Sequence, residues 1–400
     1  MKKVLVYSIL LIVGLVTSQY LNGLGAESSG VVREMIRLLT VFSLGFIMIH
    51  VGYEFEIDRS NLKSYALDYG VAATAAAFPW IFAAAYFVFI LTPSNFWWEF
   101  TTWKEALLAG RFAAPTSAGI LFSMLAAAGL SATWVFRKIR ILAIFDDLDT
   151  VLLMIPLKML IVGLKWQLLI VVVIMFALLW LAWKYLHVVR LPISWPWVMI
   201  YSSVLTAITE IIYISSKLID EVVSVHIEIL LPAFVLGCML ARPKGHDPHI
   251  DDYRNGHQDG PESSEEQKVS TIVSGVFMLL VGLSMPPIRE ALQSGGQSAS
   301  YGWSTIALHV LLITVLANLG KIFPIFVYKK ESTWRERLAI SIGMWPRGEV
   351  GAGVLIISLS YGISGLMVTV AMLSLALNLL LTGVFILIVK RLLSLKPAGT

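Results

Sequence analysis

Apolar residues along this chain come in long unbroken runs rather than in stripes. Each run is about twenty residues, the length an α-helix needs to cross roughly 30 Å of hydrocarbon. Twelve such runs occur, at 4–24, 35–57, 66–92, 104–129, 139–163, 166–187, 196–216, 227–241, 269–288, 303–328, 336–361 and 365–391. None alternates apolar and polar residues at every second position, as membrane barrel strands do. The expected fold is an all-α polytopic membrane protein of about twelve transmembrane helices.

The first run admits a rival reading. Lys2 and Lys3, an apolar stretch and the small residues Gly23, Gly25 and Ala26 also fit a signal peptide. Loop charges argue for keeping it. With a cytoplasmic N-terminus, inner loops and tails hold 20 Lys and Arg and outer connections hold 6. That asymmetry places both termini in the cytoplasm and needs an even number of spans. The expected location is the cell (inner) membrane, multi-pass.

Composition narrows the function classes. A chain of 400 residues with 58% hydrophobic and 14% charged residues has too little polar surface for a water-soluble globule. The single Cys238 has no partner for a disulfide. The net charge of +4 is scattered between the runs, which gives nucleic acid no basic patch to bind. One long hydrophilic stretch, 242–268, carries His246, Asp247, His249, Asp251, Asp252 and His257. It reads as a solvated cytoplasmic linker, with metal binding or pH sensing as the alternative.

Ionisable residues inside the runs are the candidate chemistry, because a charge at bilayer depth is costly and by default marks an ion or substrate path. The bases are Arg111, Lys158, Lys321 and Arg347; the acids are Asp146, Asp147, Asp149, Glu210 and Glu349, with Glu228 at a run's end. Lys158 and Glu228 are near enough to helix ends to reach the interface. Asp146 and Asp147 are deeper, roughly 11 Å from the cytoplasmic edge at a rise of about 1.5 Å per residue. They point about 100° apart, so one can face a cavity while the other faces a neighbouring helix. Asp149 lies on nearly the same face as Asp146, and three acids in one turn release protons as coupled steps.

Two runs are interrupted where a helix interior should be smooth. The fourth contains Ala114-Pro115-Thr116-Ser117-Ala118-Gly119, and the eleventh Trp345-Pro346-Arg347-Gly348-Glu349-Val350-Gly351. Proline removes a donor and glycine weakens the ladder. The two runs enter from opposite sides, and irregular backbone at depth is tolerated only inside protein or beside water. Paired breaks of opposite direction point to an inverted-repeat transporter, a class in which sodium/proton antiporters are a known case.

The run from Ala113 to Leu157, with Thr116-Ser117-Ala118-Gly119-Ile120 followed by Asp146-Asp147, resembles the monovalent cation/proton antiporter family 2, of the bacterial sodium/proton antiporter type with an Asp-Asp pair. Further matches are Gly52 to Asp58, Val281-Gly282-Leu283-Ser284, Asn318-Leu319-Gly320-Lys321 and, the most specific, Gly343 to Gly351. The resemblance implies a sodium/proton antiporter-like fold with two broken crossing helices. It implies 1–63 as scaffold and dimer-interface helices, 64–163 as the first core repeat, 164–241 as scaffold, 242–268 as linker, 269–302 as a scaffold helix and 303–392 as the second core repeat.

By the same resemblance Asp147 is the cation ligand and proton carrier, here for sodium, and Asp146 is the partner of Lys321. Thr116 and Ser117 lie in the unwound segment beside the site, and Arg347 and Glu349 are structural ion-pairing groups. The implied activity is exchange of sodium or lithium for protons by alternating access, electrogenic, by a homodimer without cofactor or enzymatic role. Two positions depart from the family pattern. Asp149 is an additional acid, and Arg111 stands where a small apolar residue is expected; with Glu210 these are the candidate modulators. Arg111 either neutralises the carboxylates or pairs with Asp149 or Glu210. Potassium/proton exchange and a sodium-coupled organic-solute symporter of similar fold are the alternatives. An intramembrane aspartyl protease is disfavoured, because its two acids come from different helices.

Overall fold

The computed structural model describes residues 2–20, 26–53, 55, 62–163, 165–219, 227, 229–241, 264–285, 302–360, 363 and 365–394. The linker 242–268 lies outside this range up to residue 263, as does Glu228; the side chains of Lys158 and Glu349 are also outside it. Among the described residues the structure is helical, with one isolated bridge between Val189 and Leu240.

The helices are α1 (Lys2–Ser18), α2 (Ala26–Tyr53), α3 (Leu62–Tyr86), α4 (Phe100–Gly110), α5 (Ala118–Ala127), α6 (Trp134–Val162), α7 (Trp166–Lys184), α8 (Trp195–Ile219), α9 (Leu230–Met239), α10 (Ser264–Leu283), α11 (Trp303–Gly320), α12 (Pro324–Val327), α13 (Trp334–Gly343), α14 (Glu349–Ser360) and α15 (Leu366–Ser394). Each apolar run corresponds to one helix, except that the fourth is split into α4 and α5, the eleventh into α13 and α14, and the tenth carries the short α12. Among the described residues, seven helices are by themselves long and apolar enough to cross a membrane. Of the others, α1 and α9 are 17 and 10 residues long, the broken runs yield pieces of 10 to 12 residues, and α6 carries the acids that interrupt its apolar surface.

The chain gathers into two compact units. The first holds Met1–Arg33, Asn61–Leu157 and Met278–Thr400. Here α3 packs along α11 and α4, and α15 packs along α13, α11 and α1. Val4, Tyr7, Leu11, Gly14, Leu15 and Ser18 form the buried face of α1, at the three- and four-residue spacing of one helical side. Beyond α3 the backbone loosens into a π-helical turn, Phe87–Leu91. The second unit holds Glu34–Ser60 and Lys158–Phe277, in which α9 packs along α7 and α8.

Among the described residues, each unit contains a very close helix crossing at a glycine. In the first, a Cβ on Gly14 of α1 would lie 2.2 Å from the Leu279 carbonyl oxygen of α10. In the second, a Cβ on Gly52 of α2 would lie 2.1 Å from the Phe234 carbonyl oxygen of α9. Only glycine permits such backbone approach. The sequence around these crossings repeats: Gly45, Met48, Val51 and Gly52 in α2 recur in the same register as Gly275, Met278, Val281 and Gly282 in α10. If α1 corresponds to α9 and α2 to α10, the two crossings are one contact made twice, as an inverted repeat requires.

Candidate functional site

The site in the first unit forms where the two interrupted helices meet. After α4 the chain tightens into a 3₁₀ turn, Arg111–Ala113, and then runs extended through Pro115 to Ser117. Pro115 has no N–H to continue the ladder. Ser117 restarts it as the N-cap of α5, its side chain accepting from Ile120 N. The other break is built similarly. A capping box of Thr333 and Glu336 starts α13. The helix stops at Gly343, and α14 begins at Glu349.

The extended segments are bonded to each other. Ser117 N donates to the Pro346 carbonyl at 3.0 Å, and Thr116 Oγ1 donates to the Met344 carbonyl at 3.1 Å. Gly348 lies close against this segment: a Cβ there would be 2.6 Å from Ile120 Cδ1 and 3.1 Å from Ser117 Oγ. Backbone groups freed by the breaks are thus satisfied inside protein rather than by lipid.

Arg347 and Asp146 complete the crossing with opposite charge. Arg347 is 1% exposed. Its Nε donates to the Ala113 carbonyl at 2.8 Å, its Nη2 to the Ala317 carbonyl at 2.9 Å and its Nη1 to Asn318 Oδ1 at 2.5 Å. Asn378 joins the same cluster, its Nδ2 donating to Asn318 Oδ1 and its Oδ1 accepting from Arg347 N. These contacts are all to carbonyl and amide oxygens, so Arg347 serves the frayed ends of α4 and α11, where helix dipoles leave negative charge. The Glu349 side chain, expected to pair with it, lies outside the described residues.

Asp146 is fully buried. Its Oδ2 accepts from Thr116 N at 2.8 Å and from Lys321 Nζ at 2.9 Å. Lys321, equally buried, also donates to Thr116 Oγ1 at 2.8 Å. The acid therefore lies at the amino end of α5, where the dipole favours negative charge. Asp146 Oδ1 accepts no hydrogen bond among the described residues. Asp147, 3% exposed, follows on the adjoining face of α6. Asp146, Asp147, Thr116, Ser117, Lys321 and Arg347 thus converge on one place.

The candidate modulators separate. Glu210 is in the second unit, where Arg37 holds its carboxylate at 2.7 and 2.6 Å and also reaches Glu34. Arg111 and Asp149 stay near the crossing. Arg111 lies 4.6 Å from the Trp80 ring and donates to the Asp149 and Thr150 carbonyls. Tyr69 of α3 lies beside the Asp149 carboxylate.

A second buried polar cluster had no sequence expectation. Lys138 Nζ bonds both oxygens of Asp68 at 2.9 Å, and Tyr328 Oη donates to Asp68 Oδ1 at 2.7 Å. It ties the start of α3 to the start of α6 and the α12–α13 connection. Lys138 reads in the sequence as a loop charge; the presence of Asp68 inside the third apolar run was the signal for it.

Crossed, interrupted helices joined at depth, with a buried carboxylate–ammonium pair, define a secondary transporter of the ion-exchanging kind. The model of the family described as "Sodium/hydrogen exchanger, transmembrane" matches residues 3–392, and the chain belongs to that family. It is a multi-pass membrane antiporter of cations and protons rather than an enzyme. No curated protein gives a significant match.

Proposed function

We propose that the chain exchanges sodium, or lithium, for protons through Asp147, by alternating exposure of the crossing to the two sides of the cell membrane. The observation that carries this reading is the Lys321–Asp146 pair at 2.9 Å, adjoining Asp147 at the crossed breaks. Sodium is a hard cation that takes oxygen ligands; Asp147, the second oxygen of Asp146, the hydroxyls of Thr116 and Ser117 and main-chain carbonyls of the breaks supply them. A carboxylate that holds either a proton or a cation crosses the membrane neutralised, whereas the bare carboxylate is held back by its desolvation cost. Exchange follows from competition for one site, without further chemistry.

Lys321 extends the scheme. Sodium drawn to the Asp146 side competes with the ammonium for Asp146 Oδ2, and an ammonium displaced in a buried place releases its proton. More than one proton then moves per sodium, which makes exchange electrogenic. As a homodimer in the cell membrane, such an exchanger would serve pH homeostasis.

The test uses proteoliposomes with a preset inside-acid gradient, to which sodium, lithium and potassium are added separately while internal pH is followed. Proton efflux with sodium or lithium that Asp147→Asn abolishes is the expected result. Efflux driven best by potassium would replace the sodium assignment, and efflux that survives Asp147→Asn would remove Asp147 from the site.

A further inference from the structure

Arg111 and Asp149 take no part in the exchange just described, yet both are buried beside it, 0% and 3% exposed. Arg111 is held from two sides. Its guanidinium lies 4.6 Å from the Trp80 ring of α3, and Nη2 donates to the main-chain carbonyls of Asp149 at 3.2 Å and Thr150 at 2.9 Å. Trp80 is itself fixed, Nε1 donating to the Leu107 carbonyl at 2.7 Å. Gly110 brings the end of α4 close enough for this, since a Cβ there would lie 2.9 Å from Ala84 N. The guanidinium is therefore anchored to the backbone of α6 within a turn of the aspartate pair.

A guanidinium does not deprotonate in a protein, and a buried charge persists only with opposite charge nearby. Lys321 is already matched to Asp146. Asp149 stands one turn along α6 on the face of Asp146, and its main-chain carbonyl accepts from Arg111 Nη2 at 3.2 Å. Tyr69 of α3 lies beside the Asp149 carboxylate. The two residues that depart from the family pattern are thus neighbours, Arg111 bonded to the main chain of Asp149, and they carry opposite signs.

We infer that Arg111 and Asp149 are an opposed pair of charges that sets the affinity of the cation site at Asp147: Arg111 weakens cation binding, Asp149 strengthens it, and together they leave it poised. The inference rests on the exchange reading of Asp147. Both are positioning and tuning residues, with no contact to the transported ion required. A unit charge about 10 Å from a bound cation, at an effective dielectric near 20, shifts its affinity roughly tenfold.

The test measures sodium dependence at alkaline pH, where protons compete least, in proteoliposomes and by sodium-dependent thermal stabilisation of the purified protein. Arg111→Met, which keeps length and removes charge, is expected to lower the sodium KM and midpoint roughly tenfold. Asp149→Asn is expected to raise both by a similar factor, and the double variant to return near the native value. Arg111→Lys keeps the charge but loses the paired carbonyl bonds, and is expected to keep the native KM with reduced stability. A purely structural tie gives the opposite pattern: lower rates in every variant, unchanged KM, and a double variant worse than either single one. That pattern overturns the inference. If Arg111→Met does not accumulate, Asp149→Asn with an unchanged sodium KM overturns it as well. Native protein without any cation-driven proton flux would remove the exchange reading itself, a result distinct from either.

Discussion

Lys321 and Asp146 neutralise each other's buried charge at the crossing, so single substitutions there have large and asymmetric effects. Lys321 and Asp146 are both fully buried and 2.9 Å apart. Lys321→Met leaves a carboxylate at depth without its cation, which costs about 3–5 kcal/mol. Thermal unfolding in detergent is expected to show a clear fall for Lys321→Met and partial recovery in Lys321→Met/Asp146→Asn, where neither charge remains; a double variant less stable than the single one would mean the pair does not act as a unit. The aspartates, Lys321 and Arg347 were legible in the sequence because a charge inside an apolar run is rare. The partners were less so. Arg347 suggests an ion pair by residue type, but its described bonds go to the oxygens of Ala113, Ala317 and Asn318. A guanidinium fork suits two carbonyls as well as one carboxylate, and residue type alone does not distinguish them.

Among the elements, helix existence was legible and helix contact was not. The apolar runs mark every described span, since about twenty residues must cross the hydrocarbon whatever their neighbours are. Pro115 and Pro346 likewise mark the breaks. What the pattern does not say is which glycines lie at crossings. Gly14 meets the backbone of α10, while Gly70 in α3 has open space where its side chain would be. Gly14→Ala forces two backbones apart and is expected to cost about 1–3 kcal/mol. Gly70→Ala removes conformational freedom from the unfolded chain and is expected to add up to about 1 kcal/mol. Denaturation of the two variants side by side checks this; equal effects would mean the close crossing contributes nothing to stability.

At the scale of the whole molecule, the field across the membrane acts on whatever net charge the exchange carries. One charge per cycle is worth about 2.3 kcal/mol per 100 mV. If two protons move per sodium, a potential that is negative inside speeds inward proton movement, so clamping it in proteoliposomes with a potassium ionophore should change the sodium-driven rate severalfold. A rate indifferent to potential would mean one proton per cation and would remove Lys321 from the proton count.

The sequence by itself determined the class of solvent, the helical architecture, the two breaks and the residues that bear charge at depth. Each follows from local chemistry: apolar length, missing backbone donors and the cost of ionising in lipid. Only the tertiary structure decided who meets whom. Asp146, Thr116 and Lys321 are far apart in the chain and join at the crossing, Glu210 is claimed by Arg37, and Asp68, Lys138 and Tyr328 close a cluster from three elements. Pairings of that kind depend on how helices pass one another, which their own periodicity does not encode. Arg111 shows the limit most plainly. Its residue type announced a charge beside the aspartates, but only the packing of Trp80 and the α6 backbone around it decided where that charge would act.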